Sequence, residues 1–491
     1  MSILSIIGIA LLLTIFFRND EEGNTMWWCN HIALVSILLI SIIILLKLNY
    51  FKHNRKKIFI SIMFLISSFG IVAVAYRNIG NTSVYAMCVT LSIPAILFFL
   101  QSNIKWVRII IYLLFITIFV LIIFSNSRTG IIAVSISSIF ILSRHIRTKY
   151  FFLIIGIISI LLAFGLLFAK KNSSNGRMFI LERTLEMVYE RPFGWGKNGF
   201  EANYMNFQAN YFKHEHNETA EMLADNIKHP LNEYLKITVD FGIQTLFIFI
   251  LFITFTIRHL SLSKDIVDKT MLHFLIILFV WGCFSYPFSI SFVRLMITSY
   301  TIPVIISIEY SPKQLTKIFI LSIIFFLLCV EVKASIDDSK WNIAIQDFKN
   351  GNNKIATDIF DNYNSYSINR GNLLYSLATI EYNNKDYTQC LKVSNECKQY
   401  ISSYDLEVMI ANCHMFLGNF NKADEHYIKA GYMCPNRFVP LYQRFKIYKQ
   451  LGKTTKMQIL GNNILKKKIK VPSKEIDIIL NNVKYELCHL Q

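Results

Sequence analysis

Long apolar segments separated by short polar ones fill the chain from its start to about residue 332. A helix needs roughly 20 apolar residues to cross the hydrocarbon core of a bilayer, and most of these segments approach that length. We therefore predict a membrane domain of ten to twelve spans over residues 1–333. The first segment lacks the basic start and small-residue cleavage site of a signal peptide, so we interpret it as a membrane anchor. The eleven predicted spans are residues 2–17, 27–48, 58–76, 83–100, 106–124, 129–143, 150–169, 234–257, 271–288, 293–309 and 316–332.

The pattern changes after Val332, where the sequence becomes polar and helical in character. Short turn sequences recur there at intervals of about 34 residues, the repeat length of tetratricopeptide (TPR) helix pairs. We therefore predict a C-terminal TPR-like α-solenoid over 340–491, whose clearest unit is Leu406 to Asn436. Such an array either offers a concave surface to a protein or glycan partner or serves as a structural cap. The turns are Asn350-Gly351, Asn384-Lys385, Leu417-Gly418 and Leu451-Gly452.

Composition excludes a soluble protein. Of the 491 residues 54% are hydrophobic and only 17% are charged, and the mean hydropathy is +0.42, which is too apolar for a soluble domain of this length. The net charge of +18 would favour nucleic acid in a soluble protein. In a membrane protein, however, basic residues gather in cytoplasmic loops and near anionic headgroups. We therefore predict an all-α, polytopic helical membrane protein that contacts membrane lipids and binds no nucleic acid.

Basic residues concentrate in alternate loops, and the loops between them carry far fewer. By the positive-inside rule the basic loops are cytoplasmic. The long polar loop at about 170–233 and the C-terminal domain then lie on the outer side, which is the periplasm in a diderm bacterium, and the spans lie in its inner membrane. The basic loops contain Lys52, Arg55, Lys56 and Lys57; Lys105 and Arg108; Arg144, Arg147 and Lys149; Arg258, Lys264 and Lys269; and Lys313 and Lys317.

Most residues suited to chemistry lie in this long loop and at one span boundary. The loop carries Arg177, a Pro-x-Gly-x-Gly turn at 192–196, and His229 shortly before the next apolar segment. At the outer end of two spans, Ser125-Asn126-Ser127-Arg128-Thr129-Gly130 places a guanidinium at the membrane boundary, where it suits a lipid-linked phosphate. The alternative interpretation of Arg128 is a side chain that only reaches lipid headgroups. The alternative for His229 is a cap of the following helix.

These residue types fit glycosyl transfer from a pyrophosphate. An acceptor hydroxyl needs a base, and histidine titrates close to neutral pH. A departing pyrophosphate needs positive charge, which arginines supply, and Arg294 at the outer boundary adds to that field. His214 and His216 are interpreted as a solvated loop face, because no cysteine or carboxylate spacing there matches a zinc site. We expect neither a metal nor a cofactor.

Three motifs in order, SNSRTG, GRMFILERTLEMVYERPFGWGKNGF and HPLNEYLKITVDFGIQTLF, resemble the O-antigen ligase family over roughly residues 100–305. The resemblance implies transfer of a glycan from undecaprenyl pyrophosphate to an acceptor, at the outer face of the inner membrane and without a metal. It further implies that Arg128 and Arg177 hold the pyrophosphate, that His229 is the general base, and that Asn232 contributes to substrate binding.

The acceptor stays open, because lipid A-core, a protein hydroxyl and a growing glycan use the same donor and leaving group. A repeat-unit polymerase for O-antigen or capsule is therefore the alternative enzyme. A membrane-anchored TPR scaffold for envelope glycan assembly is the alternative of another class, but it leaves the spans and the loop unexplained. A transporter is disfavoured, because charged residues cluster at span ends and no repeated half is visible.

Overall fold

A computed structural model of the chain describes residues 82–142, 171–290 and 370–489, with shorter stretches within 59–67 and 293–352 and residue 157. These residues are helical, and no strand occurs among them. The helices are α1 (Thr82–Phe98), α2 (Lys105–Phe124), α3 (Arg128–Leu142), α4 (Lys171–Glu190), α5 (Gly199–His214), α6 (Glu218–Leu223), α7 (Glu233–Phe241), α8 (Ile243–Leu262), α9 (Ile266–Phe284), α10 (Arg370–Asn383), α11 (Tyr387–Cys397), α12 (Tyr404–Phe416), α13 (Phe420–Met433), α14 (Val439–Gln450), α15 (Thr454–Lys466) and α16 (Lys474–Cys488). Short 3-10 turns follow α1 (Phe99–Gln101) and α9 (Pro287–Ser289).

The chain forms two compact units. We call the first the apolar unit and the second the loop and C-terminal unit. The apolar unit comprises Met1–Lys171, Leu231–Tyr234 and Phe247–Ile336. The loop and C-terminal unit comprises Asn172–Pro230, Leu235–Leu246 and Asp337–Gln491.

Helices α1, α3 and α9 form the centre of the apolar unit, and α2 packs beside them. The buried Trp281 indole donates to the Thr90 hydroxyl at 2.9 Å, so both of these buried polar groups are hydrogen-bonded. Four helical segments among the described residues are long and apolar enough to cross a membrane: Ser83–Gln101, Lys105–Phe124, Ile243–Leu262 and Ile266–Phe284. Only 6% of the apolar window of α8 is buried, as expected of a helix that faces lipid. These helices support a membrane-embedded protein.

One predicted span is wrong in its extent. The sequence prediction was a single helix over 234–257, but the structure has α7, a break at Gly242 and then the apolar helix α8. Gly242 has a φ of +87°, which side-chain-bearing residues rarely adopt, and α7 carries the three charged residues Glu233, Lys236 and Asp240. The span therefore starts near Ile243. The prediction at 271–288 is likewise shifted, because α9 already begins at Ile266, where Asp265 accepts a hydrogen bond from Val267 N.

Several predicted spans lie wholly or largely outside the described residues, so the total number of spans and their orientation stay predictions. These spans are 2–17, 27–48, 58–76, 150–169, 293–309 and 316–332.

The C-terminal part is a run of helices joined by short turns. Alternate helices begin at Arg370, Tyr404, Val439 and Lys474, which are 34 or 35 residues apart, and consecutive helices pack on one another. The structure has a turn at each of the four predicted positions, with a positive φ at Gly351, Lys385, Gly418 and Gly452.

Helices α12 and α13 are tied together by a buried carboxylate. Glu407 accepts hydrogen bonds from His426 Nδ1 and Lys429 Nζ, both at 2.7 Å, and pairs with Lys398 at 3.2 Å. Burial alone would raise the pKa of Glu407, but the His426 hydrogen bond and the two lysine charges lower it to about 2. The carboxylate is therefore charged and stabilising across the neutral range.

Candidate active site

The small and polar residues at the start of α3 each meet a local structural requirement. Asn126 takes a positive φ of +52°, and the Ser127 hydroxyl accepts a hydrogen bond from Gly130 N at 3.2 Å, which caps α3. A Cβ at Gly130 would lie 3.0 Å from Ile122 Cγ2 and 3.2 Å from Ala86 Cβ, so a larger residue would require α1 or α2 to move by a few tenths of an ångström. Arg128 is partly buried in the first turn of α3, within the apolar unit.

The Pro-x-Gly-x-Gly turn is hydrogen-bonded along the end of α7 and the start of α8. Trp195 N donates to Val239 O at 2.8 Å and Gly196 N donates to Asp240 O at 2.9 Å. Ile243 N donates back to Pro192 O at 2.9 Å. The motif therefore fixes the end of α4 to the first residue of an apolar helix.

Both motif glycines have the positive φ that favours glycine, +99° at Gly194 and +89° at Gly196. Their surroundings differ. A Cβ at Gly194 would meet Asp240 O and Gly242 N, each at 2.8 Å, whereas a Cβ at Gly196 would meet nothing within 4 Å. Gly194 is thus needed for close contact as well as for backbone conformation.

Asp240 joins this turn to α5. Its Oδ1 accepts from Phe200 N at 3.1 Å, at the start of α5, and its Oδ2 pairs with Lys236 Nζ at 2.6 Å. The carboxylate is buried, and a buried charge needs such partners. Asp240 therefore links α5 and α7 through its side chain and the glycine turn through its backbone oxygen.

His229 lies in the segment between α6 and α7 and is partly buried. Burial lowers the pKa of His229, and the charges of Lys236 and Lys228 lower it further. The imidazole is therefore neutral at neutral pH, the form that accepts a proton. The same two lysines act on Glu201 of α5, where burial raises the pKa of the carboxyl group and the lysines oppose that rise. His229 thus belongs to a cluster of ionisable groups with the carboxyl group of Glu201 and the two lysines.

Asn232 contacts the last turn of α9, and Arg294 contacts the connection that follows this helix. Asn232 Nδ2 donates to Cys283 O at 3.1 Å, while its Oδ1 accepts from Tyr234 N at 3.0 Å and caps α7. Arg294 donates through Nε to Phe288 O at 2.9 Å and through Nη2 to Ser289 O at 3.2 Å. The two predicted substrate-binding residues are therefore bonded to one short segment of the apolar unit, residues 283–289. The buried Glu233 carboxylate accepts a hydrogen bond from Phe288 N of the same segment at 2.9 Å.

Arg177 is partly buried in α4, within the loop and C-terminal unit that also holds His229. Arg183, nearly two turns further along α4, is buried: it pairs with Glu186 at 2.9 Å, and its Cζ lies 4.0 Å from the Tyr211 ring centroid. Its role is packing. His214 and His216 are exposed, as expected of a solvated loop face. Within the described residues no three His, Cys, Asp or Glu side chains are grouped so that they could hold a metal ion.

The segment that leads to His229 is held by the C-terminal helices. Asn226 Nδ2 donates to Asp405 Oδ2 at 2.9 Å, and Asp225 pairs with Arg437 at 3.2 Å. Asn436 Nδ2 donates to Glu221 O at 3.1 Å and to Ala224 O. These groups converge on residues 224–226, a few positions before the histidine.

Helix α5 is held to the same array. The fully buried Gln208 donates from Nε2 to Met433 O and to Asp225 O, and Ser402 N donates to Glu201 O at 2.9 Å. The polar loop and the C-terminal helices therefore fold as one unit.

Residues 113–250 match the family model described as O-antigen ligase. The match supports the O-antigen ligase family for this part of the chain, and with it an enzyme of the glycosyltransferase kind that uses a lipid-linked glycan donor and an acceptor. The matched region contains Arg128, Arg177, His229 and Asn232, whereas Arg294 lies outside it. A comparison with curated proteins finds no match to this chain.

Sequence reasoning missed Glu201, Glu233 and Asp240 as parts of this region. The last two are buried carboxylates next to or inside a segment predicted as membrane span. A charged residue within an apolar segment is the signal that could have revealed them, because such charges are costly in lipid and need specific partners.

Proposed function

We propose that the protein transfers an oligo- or polysaccharide from undecaprenyl pyrophosphate to an acceptor hydroxyl at the periplasmic face of the inner membrane. The family match at residues 113–250 carries this proposal, because it includes both predicted phosphate-binding arginines and the predicted base. In this reaction His229 takes the proton of the acceptor hydroxyl as the hydroxyl oxygen bonds to the anomeric carbon. The bond from that carbon to the pyrophosphate oxygen breaks, and Arg128 and Arg177 stabilise the negative charge that collects there.

The electrostatics of His229 support its proposed role as base. Its pKa is lowered by burial and two lysines, so the neutral imidazole is available at the pH of an outer compartment. Asn232 and Arg294 are proposed to bind substrate less directly, by fixing the ends of α7 and α9, since both donate to backbone carbonyl groups.

The test is turnover and donor binding of the purified, membrane-inserted protein with a lipid-linked glycan. His229→Ala should lose about 10² to 10⁴ in rate and keep donor binding, whereas Arg128→Ala and Arg177→Ala should weaken both. His216→Ala is the matched control, because this histidine is 84% exposed in the same loop and should be replaceable. Near-normal turnover of His229→Ala would refute the assignment. Tolerance of all three changes would favour the scaffold alternative.

A ligase and a polymerase differ in the acceptor that they use. Analysis of the surface glycan in a deletion strain distinguishes the two enzymes. Unmodified core with accumulated polymer indicates a lipid A-core ligase, core with a single repeat indicates a polymerase, and bare protein acceptors indicate a protein O-glycosyltransferase.

We also propose that the C-terminal TPR-like array acts as a structural support of the catalytic loop. The contacts with residues 224–226 favour this role over that of a binding surface for a partner. Asn436 and Arg437 of the array are already bonded to residues of the loop. Asn226→Ala removes the hydrogen bond to Asp405 and should lower kcat with little change in donor KM, since the phosphate-binding arginines are untouched. Asn482→Ala, which removes a hydrogen bond between C-terminal helices, is the control. Equal activity of the two variants would contradict the proposal.

A further inference from the structure

Two large aromatic side chains at the end of α4 are almost fully exposed. Tyr189 is 91% exposed and Phe193, in the glycine turn, is 81% exposed. The turn is nevertheless anchored by Trp195, whose indole donates to Met187 O at 2.9 Å and contacts the Phe207 ring edge to face. The exposure of the two aromatic side chains is therefore not a sign of a loose loop.

The turn that carries Phe193 is bonded directly to the start of an apolar helix. Ile243 N donates to Pro192 O at 2.9 Å, and Gln244 Nε2 donates to Phe193 O at 3.3 Å. Both donors belong to the first turn of α8, whose surface is almost wholly exposed and apolar. Ile243 itself is exposed, as is Phe241 just before it, so Phe193 adjoins an apolar surface that begins on the helix. Tyr189 precedes Phe193 by four residues, at the end of α4.

The length of α8 sets the height of this turn relative to a bilayer. Its 20 residues extend about 30 Å at 1.5 Å per residue, which equals the thickness of the hydrocarbon core. The first turn of α8 then lies at the membrane boundary, and the glycine turn lies beside it. Tyrosine favours this boundary because its ring is apolar and its hydroxyl group is polar, and phenylalanine adds apolar area that can enter the interfacial layer. Arg191 and Lys197, both exposed in the same turn, can reach lipid phosphates.

We propose that Tyr189 and Phe193 insert into the interfacial layer of the lipid bilayer at the end where α8 begins. The occupant of this surface is lipid and not a protein, because the surface is continuous with a helix that must itself be covered by hydrocarbon. The insertion would hold the glycine turn, and through Asp240 the start of α5, at the level of the lipid headgroups.

The test replaces each aromatic residue by the photo-crosslinker p-benzoylphenylalanine in the full-length protein. The variants are reconstituted in vesicles of phosphatidylethanolamine and phosphatidylglycerol, irradiated, and analysed by mass spectrometry for attached phospholipid. Tyr485, which is 62% exposed on α16, is the control position. Phospholipid adducts at 189 and 193 but not at 485 are expected.

Adducts at 485 in equal yield, or adducts at 189 and 193 only to a polypeptide, would overturn the proposal. High exposure of both aromatic residues makes loss of folding unexpected. If one variant fails to fold, the other decides, since each residue alone must yield lipid adducts. The result does not depend on catalytic activity, so it stands apart from the proposed reaction.

Discussion

Replacing Gly194 by alanine should disrupt the glycine turn far more than the same change at Gly196. Both positions have a positive φ, near +99° and +89°, and a side chain in such a sparsely populated conformation costs about 1–3 kcal/mol. Gly196→Ala adds no contact, because nothing lies within 4 Å of its Cβ position. That variant measures the backbone strain alone.

Gly194→Ala adds a steric conflict that cannot relax cheaply. The new Cβ would lie 2.8 Å from Asp240 O and Gly242 N, which are backbone atoms. The turn must therefore move away from α7, which breaks the hydrogen bonds from Trp195 N and Gly196 N. Each bond contributes about 0.5–1.5 kcal/mol net, so the total cost rises to about 2–6 kcal/mol with the strain included.

The assay compares the two variants in hydrogen exchange and in turnover. Gly194→Ala should lose amide protection at 195–196 and at 243, together with most of its activity, while Gly196→Ala should keep that protection and more of its activity. Equal effects of the two substitutions would show that the steric contact with Asp240 does not matter, and the reasoning about this turn would fail.

Three further outcomes follow from the charges and the proposed chemistry. Lys236→Gln removes a positive charge that lowers the pKa of His229, so this pKa should rise and the acidic limb of the pH profile of kcat/KM should move to higher pH. Lys236→Arg keeps the charge and should leave the acidic limb in place. Movement of the limb to lower pH in Lys236→Gln would contradict this prediction. Glu407 has its pKa lowered from 4.5 to about 2, so its pairing should contribute about 3 kcal/mol above about pH 4.5 and lose it as pH falls toward 2. In thermal unfolding, Glu407→Gln should therefore be less stable than the parent at pH 7, and its stability should fall less as the pH is lowered. Unchanged stability of Glu407→Gln at pH 7 would contradict the proposed contribution of this carboxylate. Turnover with lipid-linked glycan should persist in excess EDTA, and a loss that magnesium or manganese restores would refute the metal-independent mechanism.

Local features of the fold were predictable because they depend on neighbouring residues. The spans of α1 and α2 follow from unbroken apolar segments, and the C-terminal turns follow from Gly or Asn dipeptides at a regular spacing. The extent of the span near residue 234 was not obtained, because the apolar residues on both sides of Gly242 outweighed one lysine and one aspartate in a window of spanning length. Those two charges and the glycine were the local evidence for the break.

Contacts between distant residues could not be obtained from the pattern. Asp240 caps the start of α5 from 40 positions away, and Asn226 is bonded to Asp405 across 179 positions. Hydrophobic periodicity shows that a helix has a face to bury, but not which helix covers it. His229 could be proposed as the base from the sequence because its residue type and its position before an apolar segment are local features, whereas the residues that hold its segment are distant along the chain.

The union of loop and C-terminal helices has a physical reason. A polar loop of some sixty residues lies between two apolar segments of the sequence, and a connection of this length stays ordered only when it packs against other parts of the fold. The fully buried Gln208 illustrates the solution, since its amide bonds both Met433 O of the array and Asp225 O of the loop. The helical array at the end of the chain thus supplies a surface on which the loop packs. The repeat pattern of the C-terminal domain is typical of a module that binds another protein. In this chain, however, the domain contacts the segment that carries the proposed base.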